Sequence, residues 1–357
     1  MSATGPVITA WAAVSPFGTD RKNFLDGMAA GRPAASTSKP EDGVVPGEHG
    51  FVVPNFAIRE ILGRKGTRMM DRVAALTITA VGQIFDAGEP GNAPEGTGLV
   101  LGTTTGSIWG AMDFTRTSML AELPYHVEPG RMPGGVMNCA AGHCAIWYQL
   151  TGPNTTLANG RPSGLIALRY VRRLLARGRA NTALVGSVEE YSLDRSWLEY
   201  NARDGAPGPL GEGACLFLLE NPGSVSPDRT PLAELCSVSS RVYLEDDPRS
   251  SMHACVLDAL TEAGVEAADV SIVAPSGFTG AAGEYESEVL DGLFGRVRPQ
   301  WVDVAGLIGD TGAVSSSFQV AAALGLAGDR PGVAVVTSVD ADGTIACAVF
   351  RLFGVQT

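Results

Sequence analysis

Short apolar runs alternate along this chain with segments whose apolar residues recur every three or four positions, the pattern of strands interleaved with helices. Val7–Val14 is the first run, closed by Ser15-Pro16-Phe17-Gly18, and Asn23–Ala30 reads as a short helix stopped at Gly31. Residues 34–56 are rich in Ser, Gly and Pro and carry no period, which predicts a surface excursion. A helix is expected over Asp71–Ala87, with Ala74, Ala75, Ile78 and Val81 apolar, then a Gly/Pro loop over 88–96 and a buried strand over Gly98–Thr103. Residues 107–120 and Cys139–Leu150 read as two further apolar-rich helices.

The next stretch organises the rest. Thr155-Thr156-Leu157-Ala158 predicts a short strand and Asn159-Gly160-Arg161 a sharp turn. Pro162 sits where a first helical turn tolerates proline, because that N–H has no helical partner anyway. Over Leu165–Ala176, Ile166, Ala167, Tyr170, Val171, Leu174 and Leu175 fall at helical spacing, while Arg169, Arg172, Arg173 and Arg177 share another face. Gly178 stops the helix and Ala183–Gly186 is the buried strand that follows. Many enzymes hold a nucleophile at such a strand-to-helix turn, since the helix N-terminus stabilises developing negative charge. Here the turn carries Arg161, which is not a nucleophile, and Ser163 one step on reads as a cap or packing residue. A cation at the positive end of a helix is unfavourable by up to about 1 kcal/mol, so a carboxylate partner for Arg161 is expected.

The second part of the chain repeats this order. After Arg203-Asp204-Gly205 and Leu210-Gly211-Glu212-Gly213-Ala214 come the strand Cys215–Glu220 and a proline-punctuated linker over 221–231. Leu232–Ser239 predicts a strand, Met252–Gly264 a helix, and Val270–Pro275 a strand running into Ser276-Gly277. Asp303–Ile308 leads to Gly309-Asp310-Thr311-Gly312, a helix over Ala313–Leu326 and a closing strand, Val333–Ser338. Turn, helix, glycine stop and strand follow Arg161 and Asp310 at nearly the same spacing. This self-similarity predicts an α/β fold of two related halves, 1–225 and 226–357, packed around one core.

Composition narrows the function classes. With 45% hydrophobic and 18% charged residues over 357 positions, the chain is long and apolar enough for a large core. A net charge of −12 argues against nucleic acid as the partner. The six cysteines, at 139, 144, 215, 236, 255 and 347, show neither CxxC pairing nor metal-ligand spacing and read as core residues of a reducing compartment. No run reaches membrane-spanning length, and the first residues lack a basic segment ahead of a long apolar stretch. A cytoplasmic protein without a membrane partner is expected.

Four stretches in order carry a resemblance to a known family: Val7–Gly18 with Ala30-Gly31-Arg32-Pro33; Asn138-Cys139-Ala140-Ala141-Gly142-His143 through Gly152-Pro153-Asn154; Arg203-Asp204-Gly205 with Gly211-Glu212-Gly213-Ala214; and Ile308–Ala313. Over nearly its whole length the chain resembles the β-ketoacyl synthases of the thiolase superfamily. That resemblance implies the thiolase-like fold, a layered α-β-α-β-α core. The family's chemistry uses a cysteine for an acyl thioester and two histidines that stabilise an enolate. By the resemblance the cysteine position is Arg161, the histidine positions are Ser276 and Asp310, and a supporting lysine falls at Ala305. The glycine-rich gating turn becomes Asp340-Ala341-Asp342-Gly343.

A scaffold kept with every chemical position changed looks like the chain length factor, the ketosynthase-β subunit of type II polyketide synthases. Arg161 stands where such subunits usually carry glutamine, a departure that resembles the partners of polyene-making, highly reducing systems. The resemblance implies a heterodimer with an active ketosynthase-α subunit, substrates carried on the phosphopantetheine of an acyl carrier protein, and no cofactor of the chain's own. It implies pairing of strand 155–158 (Thr155, Thr156, Leu157, Ala158) across a two-fold axis. It also implies that Ile108, Ala111, Met112 and Thr115, spaced i, i+3, i+4 and i+7, reach the end of the partner's acyl tunnel, with core packing as the ordinary alternative. Arg169, Arg172, Arg173 and Arg177 are candidates for carrier-protein docking or a solvated face. An Arg161–Asp310 ion pair, with Ser276 beside it, is expected to fill the former catalytic pocket. His143 and Cys144, adjacent in sequence, read as core residues; Glu212, between two glycines, as an acid binding backbone N–H groups; Asp340 and Asp342 as a solvated turn. Two other functions stay open on the residues alone: a repurposed acyltransferase or cyclase, and a homodimeric acyl-binding module.

Overall fold

The computed structural model describes residues 3–35, 50–85, 93–202, 208–243 and 247–354. Arg203-Asp204-Gly205 and much of the 34–56 and 88–96 segments therefore lie outside the described residues. The first elements are β1 (Val7–Val14), α1 (Arg21–Ala30), β2 (Gly50–Phe51), α2 (Ile58–Ile61), α3 (Arg72–Ile84), β3 (Gly98–Gly102), α4 (Ile108–Leu120), α5 (Cys139–Tyr148) and β4 (Asn154–Leu157). Then follow α6 (Ser163–Ala176), β5 (Thr182–Glu189), α7 (Leu193–Ala202), β6 (Leu210–Gly211) and β7 (Gly213–Glu220). The remaining elements are β8 (Ala233–Val242), α8 (Pro248–Ala263), β9 (Ile272–Ala274), α9 (Ala281–Phe294), β10 (Gln300–Trp301), α10 (Ala305–Ile308), α11 (Val314–Ala327), β11 (Pro331–Val339) and β12 (Thr344–Phe353).

Among the described residues ten strands form one sheet in the order β10-β9-β11-β12-β8-β1-β7-β5-β3-β4. Its two arms mirror one another. β4, β3 and β5 are parallel, followed by antiparallel β7 and β1; β10, β9 and β11 are parallel, followed by antiparallel β12 and β8. The arms join through β1 and β8, where Val7 and Ile8 pair with Glu234 and Ala233. The internal repeat read from the spacing is thus a repeat of topology.

Alternation along the strands sorts the core into layers. Val100, Val185 and Phe217 of the first arm, with Ala274, Val336 and Ala348 of the second, pack against Leu165, Leu168 and Val171 of α6 and Val314 and Phe318 of α11. Their neighbours Leu99, Leu101, Leu184 and Leu216 point to the opposite face, against α3 and α5. Val273, Val335, Cys347 and Val349 do the same beneath α8 and α9. Helix, sheet, helix, sheet, helix is the result. The two middle helices approach closely: a Cβ on Gly164 would sit 2.4 Å from the Ser316 hydroxyl oxygen, so only glycine fits there.

Most element boundaries match the apolar pattern, and the differences have local causes. The strand expected at 155–158 lies one residue earlier, and Ala158 falls outside it. The helix expected from Met252 starts at Pro248, because Asp247 caps it by accepting the Ser250 N–H. Helix α9 has no counterpart in the sequence reading, since Gly283 and Gly292 interrupt its apolar spacing. The closing strand is β12, an almost unbroken buried run, and not β11. The described end of the 34–56 segment, residues 50–56, does not stay wholly at the surface: Gly50, Val53 and Phe56 are buried. The cause is Glu212, fully buried, which accepts the N–H groups of Val53 (2.7 Å) and Tyr191 (3.0 Å) and the Arg72 guanidinium, Nε at 2.7 Å. Glu212 is the backbone-binding acid its glycine neighbours implied. Among the described residues no helix is long and apolar enough to cross a membrane.

Candidate functional site

The sharp turn between β4 and α6 is set by short polar contacts. Gly160 takes φ +63°, the left-handed region, and a Cβ there would collide with the Asp340 carboxylate. Ser163 accepts the Asn159 N–H at 2.8 Å, and its hydroxyl lies 2.6 Å from the Gly160 carbonyl, so it locks the turn from inside. The Arg161 N–H donates to Asp340 Oδ2 at 2.7 Å. Asp340 is therefore a half-buried cap of the turn and not a solvated residue, whereas Asp342 is exposed and accepts the Thr344 N–H.

The Arg161 side chain reaches Asp310 at the approach to α11. Nη1 donates to Oδ1 at 2.5 Å and Nη2 pairs with Oδ2, a two-pronged contact between side chains 8% and 13% exposed. The guanidinium also lies over the Phe278 ring, 4.4 Å from its centroid. Asp310 is held in turn. Its Oδ1 accepts the Gly312 N–H at 2.9 Å, its own N–H donates to the Pro209 carbonyl, and its carbonyl accepts the Gly211 N–H. The expected ion pair is present, but Ser276 is not part of it. The Ser276 N–H and hydroxyl both turn to buried Glu286, which also accepts the Thr337 hydroxyl. Burial, more than any neighbouring charge, holds the Glu286 and Asp340 carboxyls above the usual carboxylate range.

Outside the pair opens a cleft of about 430 Å³, lined by Phe51, Pro209, Thr279, Ala305 and Gly306 among others. Ala305 offers only a methyl group there. A guanidinium stays protonated and has no nucleophilic atom, and Asp310 is fully engaged with it. The pair ties the two halves together, and neither of its side chains carries a thiol.

The other sequence candidates lie elsewhere. α4 carries no buried residue: Ile108 and Ala111 are half-buried, Met112 and Thr115 exposed, so this stripe is not core packing within the chain. β4, with Thr155, Thr156 and Leu157, is the end strand of the sheet, paired among the described residues on one side only, to β3. The arginine face of α6 divides. Arg169 donates to the Ser240 hydroxyl and Arg172 pairs with Glu262, while Arg173 and Arg177 are exposed. Cys144 is buried away from His143; the sulfur near the imidazole is Cys139, one helical turn earlier, at 3.9 Å.

One cluster escaped the sequence reading. Buried Asp71 caps α3 and faces Cys139, and burial pushes both up, the thiol to about 12. Buried Glu190 accepts the Trp109 N–H at 2.8 Å and is pushed up to about 8, first by burial and then by Asp71, Glu189 and Glu212. The signal was the pair Glu189-Glu190 at the end of a strand that is otherwise mostly apolar and buried throughout. Glu190 binds its proton more tightly folded than unfolded, where a glutamate titrates near about 4.3. Its stabilising contribution is complete below that value and is lost as pH rises through about 8. In urea titrations across this window stability should fall with pH, and Glu190→Gln should flatten the slope; an identical slope in the variant would contradict the assignment.

A second expectation concerns the pair itself. Removing one partner of a buried pair typically costs about 3–5 kcal/mol. Arg161→Cys should lose stability of that order in urea unfolding, regain part of it when Asp310→Asn is added, and gain no condensing activity. A loss below about 1 kcal/mol, the range of exposed pairs, would show that the pair carries no weight.

Comparison with known proteins places this geometry. The model of the β-ketoacyl synthase N-terminal domain matches residues 6–206. The chain is 24% identical over 325 residues to a 3-oxoacyl-[acyl-carrier-protein] synthase 2 of Coxiella burnetii, covering 81% of this chain and 77% of that one. Against the Vibrio cholerae synthase of the same name it is 26% identical over 256 residues, 62% of this chain and 58% of that one. Among solved structures, the ishigamide ketosynthase/chain length factor superposes with a TM-score of 0.91 at 42% identity, over 98% of this chain and 100% of that one. An oxazolomycin ketosynthase domain of Streptomyces albus JA3453, 16% identical, shares the fold with a TM-score of 0.79 over 98% of this chain and 74% of that one. With a matching family model over more than half its length and the doubled thiolase-like architecture, this chain belongs to the β-ketoacyl synthase family of the thiolase superfamily.

Proposed function

We propose that this chain is a chain length factor: a subunit without condensing chemistry of its own that pairs with an active ketosynthase and bounds its acyl tunnel. The observation that carries the reading is the Arg161–Asp310 pair, standing where the family's resemblance places a cysteine and a histidine. Likeness to a ketosynthase/chain length factor along the whole chain supports it. In this reading the chain takes part in polyketide, specifically polyene, elongation. The growing acyl group rides on the phosphopantetheine of an acyl carrier protein, and the chain needs no cofactor.

Two surface features favour a protein partner. Among the described residues β4 has a strand partner on one edge only, and an open edge invites pairing with another strand. Near it, α4, residues 121–146 and α7 expose Trp109, Met119, Leu120, Tyr125, Met132 and Trp197, an apolar face of the kind that marks association sites. The α4 stripe lies on this face, so a partner seated there would bring Ala111 and Met112 to its own interior.

Co-expression with an intact ketosynthase and a carrier protein tests the reading. A heterodimer should form on size-exclusion chromatography, and Ala111→Trp should shorten the products while the heterodimer persists. Unchanged product length in an assembled variant would remove α4 from the tunnel. A stable monomer, or turnover by this chain alone, would contradict the reading as a whole.

A further inference from the structure

The apolar face around α4 carries a chemistry that the tunnel reading does not use. Among the described residues five methionines are exposed, Met69, Met112, Met119, Met132 and Met137, although methionine is one of the residue types most often buried. All five belong to one face. Met112 and Met119, at i and i+7, share one side of α4. Residues 129–137, which carry Met132 and Met137, lie along that helix: Arg131 pairs with Asp113, and a Cβ on Gly135 would sit 3.6 Å from the Ala111 Cα. Met69 adjoins them, its Cε 3.9 Å from the place of a Cβ on Gly130. The face continues through α5 to the sheet edge, where the Asn154 side chain of β4 donates to the Ala141 carbonyl. The other described methionines, Met28, Met70 and Met252, are half-buried or buried.

The other sulfur atoms of the chain are withdrawn from reaction. All six cysteines are free and buried. Burial, ahead of any neighbouring group, pushes every one of these thiols up, Cys255 to about 11 and Cys139 to about 12. The thiolate is the form that reacts with a peroxide, and a buried thiol held protonated does not supply it. A thioether needs no deprotonation, so exposure decides which methionine reacts. Met119, 80% exposed, and Met132, 63% exposed, come first, followed by Met137, Met112 and Met69, while Met252 is shielded in the core. In the reaction the sulfur attacks one peroxide oxygen, an S–O bond forms and the O–O bond breaks. The sulfur gives up two electrons, and the departing hydroxide takes the proton of the transferred OH and leaves as water. The product sulfoxide is polar where the thioether was apolar.

We propose that this methionine face is an oxidation-sensitive assembly site: hydrogen peroxide converts its thioethers to sulfoxides in the unpaired chain, and the sulfoxides keep the ketosynthase partner from seating. The proposal rests on the chain length factor reading, which seats the partner on this face. Methionine suits an adaptable contact, because its unbranched thioether moulds to the surface opposite. A sulfoxide oxygen carried into that contact loses its water without gaining a matched donor, the cost of burying any polar group unpaired. Pairing itself covers the sulfurs, so the assembled subunit is protected and the unpaired one is not. Methionine sulfoxide reductases, one for each sulfoxide epimer, return the thioether and reopen the face.

The test treats the full chain with hydrogen peroxide, removes the oxidant with catalase, and adds an untreated, intact ketosynthase, with the Kd of the heterodimer as readout. Peptide mass mapping should find one added oxygen on Met119 and Met132 first, and none on Met252 or the cysteines. Oxidation should weaken pairing at least about tenfold, the scale of one polar group buried without a partner. Incubation with both reductases should restore it. The same peroxide applied to the assembled heterodimer should leave these sulfurs unmodified. M69L/M112L/M119L/M132L/M137L keeps apolar side chains of similar volume without the sulfur. Measured against its own untreated affinity, that variant should stay within about twofold after peroxide, the ordinary scatter of surface changes. Unchanged affinity once Met119 and Met132 are oxidised would overturn the proposal and leave the chain length factor reading standing, whereas failure of the untreated chain to pair would overturn both. Equal oxidation of the free and assembled chain would also overturn it. So would a loss of pairing that the reductases do not reverse, or that circular dichroism traces to unfolding, because the effect would then lie outside this face.

Discussion

The Arg161–Asp310 pair joins the beginnings of two helices that descend from different halves of the chain. α6 and α11 form the middle layer, and both arms of the sheet pack on them. The turn before each helix is fixed by neighbours from the other half: Asp340 caps the turn at Arg161, while Pro209 and Gly211 hold the backbone of Asp310. A guanidinium placed at a helix N-terminus would work against the dipole of α6. A carboxylate that spans both guanidinium nitrogens and accepts an N–H before α11 offsets that term. The interior therefore tolerates this buried cation where the fold brings two helix N-termini together.

That arrangement keeps the architecture of the turn around a residue that has no thiol. The turn, the close glycine contact between α6 and α11, and the polar lock by Ser163 all persist around a residue that cannot attack a thioester. Ser276 remains a hydroxyl but is committed to Glu286, and Ala305 contributes only a methyl group to the cleft. What the fold still presents to the outside is an open sheet edge beside an apolar face.

How much was legible in the sequence follows from where the information sits. The α6 and α11 units were plain because turn, helix period and glycine stop are local signals, and the complementary charges at 161 and 310 stood out against a family pattern. Helix α9 was not, because two glycines break its period, and β12 was missed because a strand buried on both faces shows no alternation. The Glu190 and Asp71 cluster assembles residues some 120 positions apart in the chain, which no local pattern encodes. The arginine face of α6 was visible as a face, but its division into tied and free members depends on Ser240 and Glu262, supplied by distant strands and helices.

In the proposed chain length factor reading, the growing acyl chain is never bonded to this subunit. Intact-mass measurement of each subunit answers it, after the heterodimer with an active ketosynthase has been incubated with an acyl carrier protein bearing the acyl thioester. The account predicts an acyl adduct on the ketosynthase alone, with the mass of this chain unchanged. An adduct on this chain, at Ser163, Ser276 or any other side chain, would contradict it.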